Sequence, residues 1–196
     1  DSLYAELTSG LAADASIILT KIIRLHQITG GSVTTQEGTV ARVGNSKIDA
    51  CVQLLAERGQ QKVVIACRFL EEIRRLHSAI AATGRVVFTI SGAQTETIRA
   101  ERIVHFQDTG EPAVMLLQYR AGGVSIDLSC ADTLILFSLE PSVIAYTQVI
   151  GRVWRSGQLG HVQILPLLAE NTVDEALYVG LKEDLDQVNL AQLLRA

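Results

Sequence analysis

The stretch from residue 113 to residue 123 reads Ala-Val-Met-Leu-Leu-Gln-Tyr-Arg-Ala-Gly-Gly. Its first five residues are apolar with no polar alternation, the pattern of a strand buried on both faces. Behind it, Gly122 and Gly123 let backbone approach a ligand closely, and Arg120 carries a planar fork suited to phosphate. Working outward, similar short apolar runs stand at 62–67, 85–90, 132–138 and 162–168. Between them, apolar residues at helical spacing predict helices at 69–82, 95–107, 142–155 and 172–187. Strands of this kind alternating with helices specify an α/β fold, a parallel sheet covered by helices on both faces. Ligands of such sheets sit beyond the carboxyl ends of the strands. Arg68, Phe69, Ser91, Gly92, Tyr119 through Gly123, Glu140, Ala169 and Glu170 fall there.

Upstream of the first strand lies a helical preface. Residues 14–29 place Ile18, Ile22, Leu25 and Ile28 at helical spacing, with Asp14 or Ser16 as N-cap and Gly30-Gly31 as the stop. Residues 31–44 are rich in Ser, Thr and Gly and read as loop. A helix over 46–58, opened by Asn45 or Ser46, carries Ile48, Val52 and Leu55. The expected division is a preface over 1–58 and an α/β domain with C-terminal helices over 59–196.

Composition narrows the class. The 196 residues are 48% hydrophobic and 19% charged with a net charge of −4, which excludes a disordered chain. No apolar run approaches the ~18 residues of a membrane span, so no membrane partner is expected. The first residue is Asp1, with no charged-then-apolar leader after it, and a piece of a longer chain is expected. Cys51, Cys67 and Cys130 are an odd count without C-x-x-C spacing, which favours a reducing compartment over zinc or disulfides. Residues 1–163 hold 15 basic and 15 acidic side chains, while 164–196 hold two basic and six acidic ones. The acidity therefore belongs to the tail, and nucleic-acid binding remains open.

The chemistry concentrates in residues 148–158, Gln148-Val-Ile-Gly151-Arg152-Val-Trp154-Arg155-Ser-Gly157-Gln158. On a helical wheel Val143, Ile150 and Trp154 gather on one face, read as the core side, and Gln148, Arg152 and Arg155 on the other. Gly151 costs the helix about 1 kcal/mol relative to Ala, which points to a close approach there. Two arginines and a glutamine in a row suit a polyphosphate.

The string Gln148-x-x-Gly151-Arg152-x-x-Arg155-x-Gly157-Gln158 resembles the last signature motif of superfamily-two helicases, in the form of the Swi/Snf-like DNA translocase branch. Leu116 through Gly123, with Ala131-Asp132, resembles the motif before it. Gly92, Arg99 and Phe106 match a G-x₆-R-x₆-F spacing, Lys62 to Phe69 resembles the first lobe-two strand, and Leu19-Thr20-Lys21 with Leu25-His26-Gln27 resembles the lead-in. The likeness spans roughly residues 14–185. Departures are Ser125 for a usual glycine, Asp127 for Asn, Tyr119 for a DNA-contacting Thr or Ser, and Arg68 for Gln.

The resemblance implies a RecA-like second lobe. No G-x-x-x-x-G-K-[ST] loop and no D-E-x-[HD] acid pair occurs in the chain. In the family those motifs, with most of the grip on ATP and Mg²⁺, belong to a first RecA-like lobe, the expected partner. The implied roles are catalytic for Arg152, Arg155 and Gln148, and nucleotide contact for Gly123, Ser125, Asp127 and Gly151. The implied DNA-backbone grips, duplex and without sequence preference, are Ser91, Gly92, Arg68, Arg120 and Gly122. Alone, the chain is expected to be inactive. A bacterial or phage cytoplasm is the favoured setting, a nucleus if the source is eukaryotic. The rival readings are a non-catalytic RecA-like module binding DNA or protein, and an RNA-directed helicase lobe.

Overall fold

The computed structural model describes residues 17–35, 37–59, 61–121, 126–155 and 160–193. Asp14, Ser16, Gly122, Gly123, Ser125, Gly157 and Gln158 lie outside the described residues.

Five strands, β3 (Val63–Cys67), β4 (Val86–Ile90), β5 (Ala113–Gln118), β6 (Thr133–Leu136) and β7 (Gln163–Pro166), form one sheet in the order β4-β5-β3-β6-β7. Every pairing in it is parallel. The three inner strands are the most apolar, and β3 and β6 are buried along their whole length. Because side chains alternate across a strand, β3 feeds two cores. Val64 and Ala66 join Ile103 and Phe106 of α4 (Glu96–Asp108), Val149 and Val153 of α5 (Val143–Val153) and Leu181 of α6 (Val173–Leu193). Val63, Ile65 and Cys67 join Ile48, Cys51 and Leu55 of α2 (Ser46–Glu57) and Ile73, Leu76 and Ile80 of α3 (Leu70–Ala81). The sheet is therefore covered on both faces, as its sequence requires.

Local signals set the helix starts. Thr95 accepts a hydrogen bond from the Ile98 amide, and Ser142 accepts one from the Ala145 amide. Asn45 precedes α2 but makes no side-chain cap; its Oδ1 accepts from Arg75 Nη2 instead, at 2.6 Å.

Two expectations fail in the preface. Residues 31–44 are not plain loop: β1 (Ser32–Thr34) pairs antiparallel with β2 (Val40–Arg42). The connecting turn passes through Gly38 at φ +81°, where glycine is the least strained residue. The helix over 17–29, α1, is also rotated from its expected apolar face. Ile18, Leu25 and Ile28 are exposed, and the buried residue on it is His26. Polar contacts of His26, described below, set that rotation. Gly31 then ends the helix at φ +86°, and a Cβ there would meet the Gly44 carbonyl oxygen at 2.4 Å.

Candidate functional site

The carboxyl edge of the sheet brings together three charged residues from three adjacent strands. Arg68 follows β3, Arg120 follows β5 and Glu140 follows β6. Glu140 is buried, and its Oε1 accepts from Arg120 Nη2 at 3.0 Å while Oε2 lies 3.5 Å from Arg68 Nε. The Arg120 side chain is 77% exposed and that of Arg68 only 12%. Arg68 is held from two further sides. Its Nη1 lies 3.2 Å from His26 Nδ1, and its guanidinium carbon lies 5.3 Å from the Phe69 ring centroid. Burial pulls the Arg68 guanidinium below its ordinary pKa, and Glu140 opposes that. The Arg68 amide donates to Ser138 Oγ at 2.7 Å, which fixes the chain where it leaves β3.

At the next strand the Ser91 amide donates to Gln94 Oε1, and the Gly92 amide donates to Gln118 Oε1 at 3.1 Å. The Gly92 turn is thus tied to the end of β5 by Gln118, a residue sequence reading left without a role. Tyr119 is buried in the core, so at this position the chain offers packing rather than a hydroxyl at the surface.

The arginine helix departs from its wheel. It ends at Val153, with Trp154 already extended and 56% exposed. Of the expected core face, Val143 and Ile150 are partly buried and pack against the core beside the fully buried Val149 and Val153, and Trp154 leaves it. The reason is geometric: beyond Val153 the helical period stops, so neither Trp154 nor Arg155 keeps its place on the wheel. Gln148 and Gly151 are exposed, and a Cβ on Gly151 would meet nothing within 4 Å. No close approach at Gly151 comes from the described residues.

Arg152 is half-buried, and its Nη1 is buried without a hydrogen-bond partner among the described residues. Burial lowers its pKa. Arg155 Nη1 lies 3.7 Å from Asp127 Oδ2. Asp127 Oδ1 accepts from the amide and hydroxyl of Ser129, and these bonds, with a smaller part from Arg155, hold its carboxyl below the usual range. The Leu128 amide donates to the Arg152 carbonyl at 2.8 Å, so the segment carrying Asp127 is docked on the end of α5. The structure therefore places Asp127 beside Arg155, joining two expected site residues.

Beneath the edge lies a polar cluster that sequence reading missed. Asp174, in the first turn of α6, accepts from Thr29 Oγ1 at 2.8 Å, from Lys47 Nζ and from the Ala169 amide at 3.1 Å. His26 Nε2 lies 3.6 Å from Asp174 Oδ1. Burial lowers the His26 pKa to about 4 although Asp174 pulls the other way, so the ring is neutral at pH 7. Glu72 is fully buried, accepts from Ser138 Oγ at 2.6 Å and from the Phe69 amide at 3.1 Å, and burial raises its pKa to about 7. The available signal was the occurrence of charged and ring residues at helix positions that packing would assign to apolar ones.

A parallel sheet of this form has known counterparts. The helicase conserved C-terminal domain family matches residues 46–157, more than half of the chain. The chain belongs to that family. Among relatives of this helicase C-terminal domain is an uncharacterized ATP-dependent helicase of Mycoplasma pneumoniae, 27% identical over 160 residues, covering 81% of this chain and 15% of that protein. Another is the DNA repair and recombination protein RAD54B of Gallus gallus, 28% identical over 145 residues, covering 71% of this chain and 16% of that protein. A relative from Arabidopsis thaliana, 28% identical over 149 residues and covering 72% of this chain and 17% of that protein, is SWI/SNF-related by name. The solved C-terminal part of the Fun30 ATPase domain is similar in fold, with a TM-score of 0.62 at 22% identity, covering 68% of this chain and 44% of that one. The helicase C-terminal domain thus spans about one-sixth of the length of the relatives it matches. Among the described residues no helix is long and apolar enough to cross a membrane.

Proposed function

We propose that this helicase C-terminal domain is the second lobe of an ATP-dependent DNA translocase, completing an ATP site whose other half lies on a first RecA-like lobe. The observation that carries the reading is Arg152: a half-buried guanidinium at the end of α5 whose Nη1 has no partner within the described residues. A buried, unsatisfied donor of this kind is costly, and a β- or γ-phosphate oxygen of ATP satisfies it. ATP with Mg²⁺ supplies the phosphoryl group and its charge. The lobe supplies positive charge for the transition state, a contribution typically worth 10³–10⁵ in rate.

In this reading Arg152 is the arginine finger. Arg155 stands ready beside it on Asp127, a half-exposed pair weak enough to exchange for a phosphate. Gln148 orients the two from the exposed side of α5, and Gly151 leaves room for the nucleotide. Gly123 and Ser125 complete the nucleotide side. The DNA backbone lies along the strand ends, on Arg120, the Ser91-Gly92 turn, Gly122 and, more deeply, Arg68. These groups address phosphates and carry no sequence information.

The test is ATP turnover by the intact protein and by this chain alone, each with no polymer, duplex DNA and RNA. The expected result is turnover by the intact protein, stimulated by duplex DNA more than by RNA, and none by the chain alone. Stimulation by RNA alone, or turnover by the isolated chain, contradicts the reading.

A further inference from the structure

We propose that Glu140 is the positioning residue of the DNA edge: its buried carboxylate anchors the exposed Arg120 and the partly buried Arg68 so that Arg120 meets a backbone phosphate already oriented. The inference rests on the reading of this edge as a DNA grip.

The argument starts from the unequal exposure of the three side chains. Arg120 projects into solvent, yet one of its nitrogens is held at 3.0 Å by a carboxylate that is itself only 6% exposed. An arginine has five N–H donors in a fixed fork. Glu140 engages Nη2, and among the described residues the remaining donors have no other hydrogen-bond partner, which leaves them for an incoming ligand. A long exposed side chain otherwise loses rotamer freedom when it binds; here part of that ordering is built in. The other carboxylate oxygen faces Arg68, which His26 and Phe69 also hold, so Glu140 stands on a fixed base. Two guanidiniums and one carboxylate leave a net charge of +1 at the junction of three strand ends. That suits a phosphate diester, and the carboxylate keeps the two cations from repelling each other apart. Glu140 makes no contact with the polymer in this scheme and acts only through the arginines.

The experiment uses the intact motor protein and a linear duplex of random sequence. It measures the DNA concentration for half-maximal stimulation of ATP turnover and the turnover at saturating DNA. Glu140→Ala is expected to raise the half-saturating DNA about five- to tenfold and to leave saturated turnover within about twofold, since only the grip is loosened. Glu140→Gln, which keeps an acceptor oxygen for Arg120, is expected to restore most of the loss. In an Arg120→Ala background, Glu140→Ala is expected to add nothing, because the effect passes through Arg120. Should Glu140→Ala melt far below the parent, Glu140→Asp, which withdraws the carboxylate by one methylene and keeps its charge, carries the same expectation. Unchanged half-saturation, or tighter DNA binding in Glu140→Ala, overturns the proposal; tighter binding would make the carboxylate a competitor of phosphate. If Arg120→Ala leaves half-saturation unchanged, the DNA grip at this edge fails and Glu140 with it. If Arg120→Ala weakens DNA and Glu140→Ala does not, only the positioning role fails.

Discussion

Lys47 and Asp174 form an ion pair in which both side chains are almost wholly buried, although 127 residues separate them in sequence. The pair joins α2, near the start of the domain, to the first turn of α6, after the last strand. His26 and Thr29 of α1 close on the same carboxylate. One acid therefore fastens three helices beside the edge that carries Arg68.

Breaking that pair from one side should be costly. Asp174→Ala leaves a buried Lys47 charge without compensation, and about 3–5 kcal/mol of stability is expected to be lost. Removing both ends, as Lys47→Met with Asp174→Leu, should cost much less than Asp174→Ala alone. Thermal or denaturant melts of the two variants check this; equal losses in the single and double variants would show that the charges are not coupled.

The pH dependence follows from two buried groups that act in opposite directions. His26 has its pKa lowered from 6.5 to about 4, so its stabilising share is complete above about 6.5 and is lost as pH falls through 4. Glu72 has its pKa raised from 4.5 to about 7, so its share is complete below about 4.5 and is lost as pH rises through 7. Between those limits the two largely offset each other. Glu72→Gln removes one side of the balance. Its melting temperature relative to the parent should climb between about pH 5 and about pH 8, corresponding to roughly 1–3 kcal/mol. A constant difference across that range would mean that Glu72 titrates normally.

Trp154 and Phe106 give a contrast in packing. Phe106 is fully buried between α4 and the sheet, whereas Trp154 is 56% exposed beyond the end of α5. Phe106→Ala should cost about 3–5 kcal/mol, and Trp154→Ala should shift the melting temperature little. A large loss from Trp154→Ala would place that ring in a packed environment after all.

The sheet was legible because its strands are short apolar runs whose meaning depends little on context: β3, β5 and β6 are found where Val63, Met115 and Ile135 predict them. The crevice rule likewise pointed to Arg68, Arg120 and Glu140 at the strand ends. What failed were readings that extended a period beyond its element or assumed an apolar anchor. Trp154 lost its wheel position because the helix stops at Val153. Ile18, Leu25 and Ile28 did not become the core face of α1 because the neutral ring of His26, 3.2 Å from Arg68 Nη1 and 3.6 Å from Asp174 Oδ1, took that place. The pairing of Glu140 with two arginines was hidden because three residues spread over 72 positions meet only when β5, β3 and β6 stand side by side.

The most direct test of the central claim, that this lobe lends Arg152 to a shared ATP site, is DNA-stimulated ATP turnover by Arg152→Ala in the intact protein, measured with its melting temperature. The account predicts a fall of roughly 10³-fold or more at saturating DNA with little change in melting temperature. Retained turnover in a folded variant, or unfolding with specific activity preserved in the folded fraction, would contradict it and make Arg152 a structural residue.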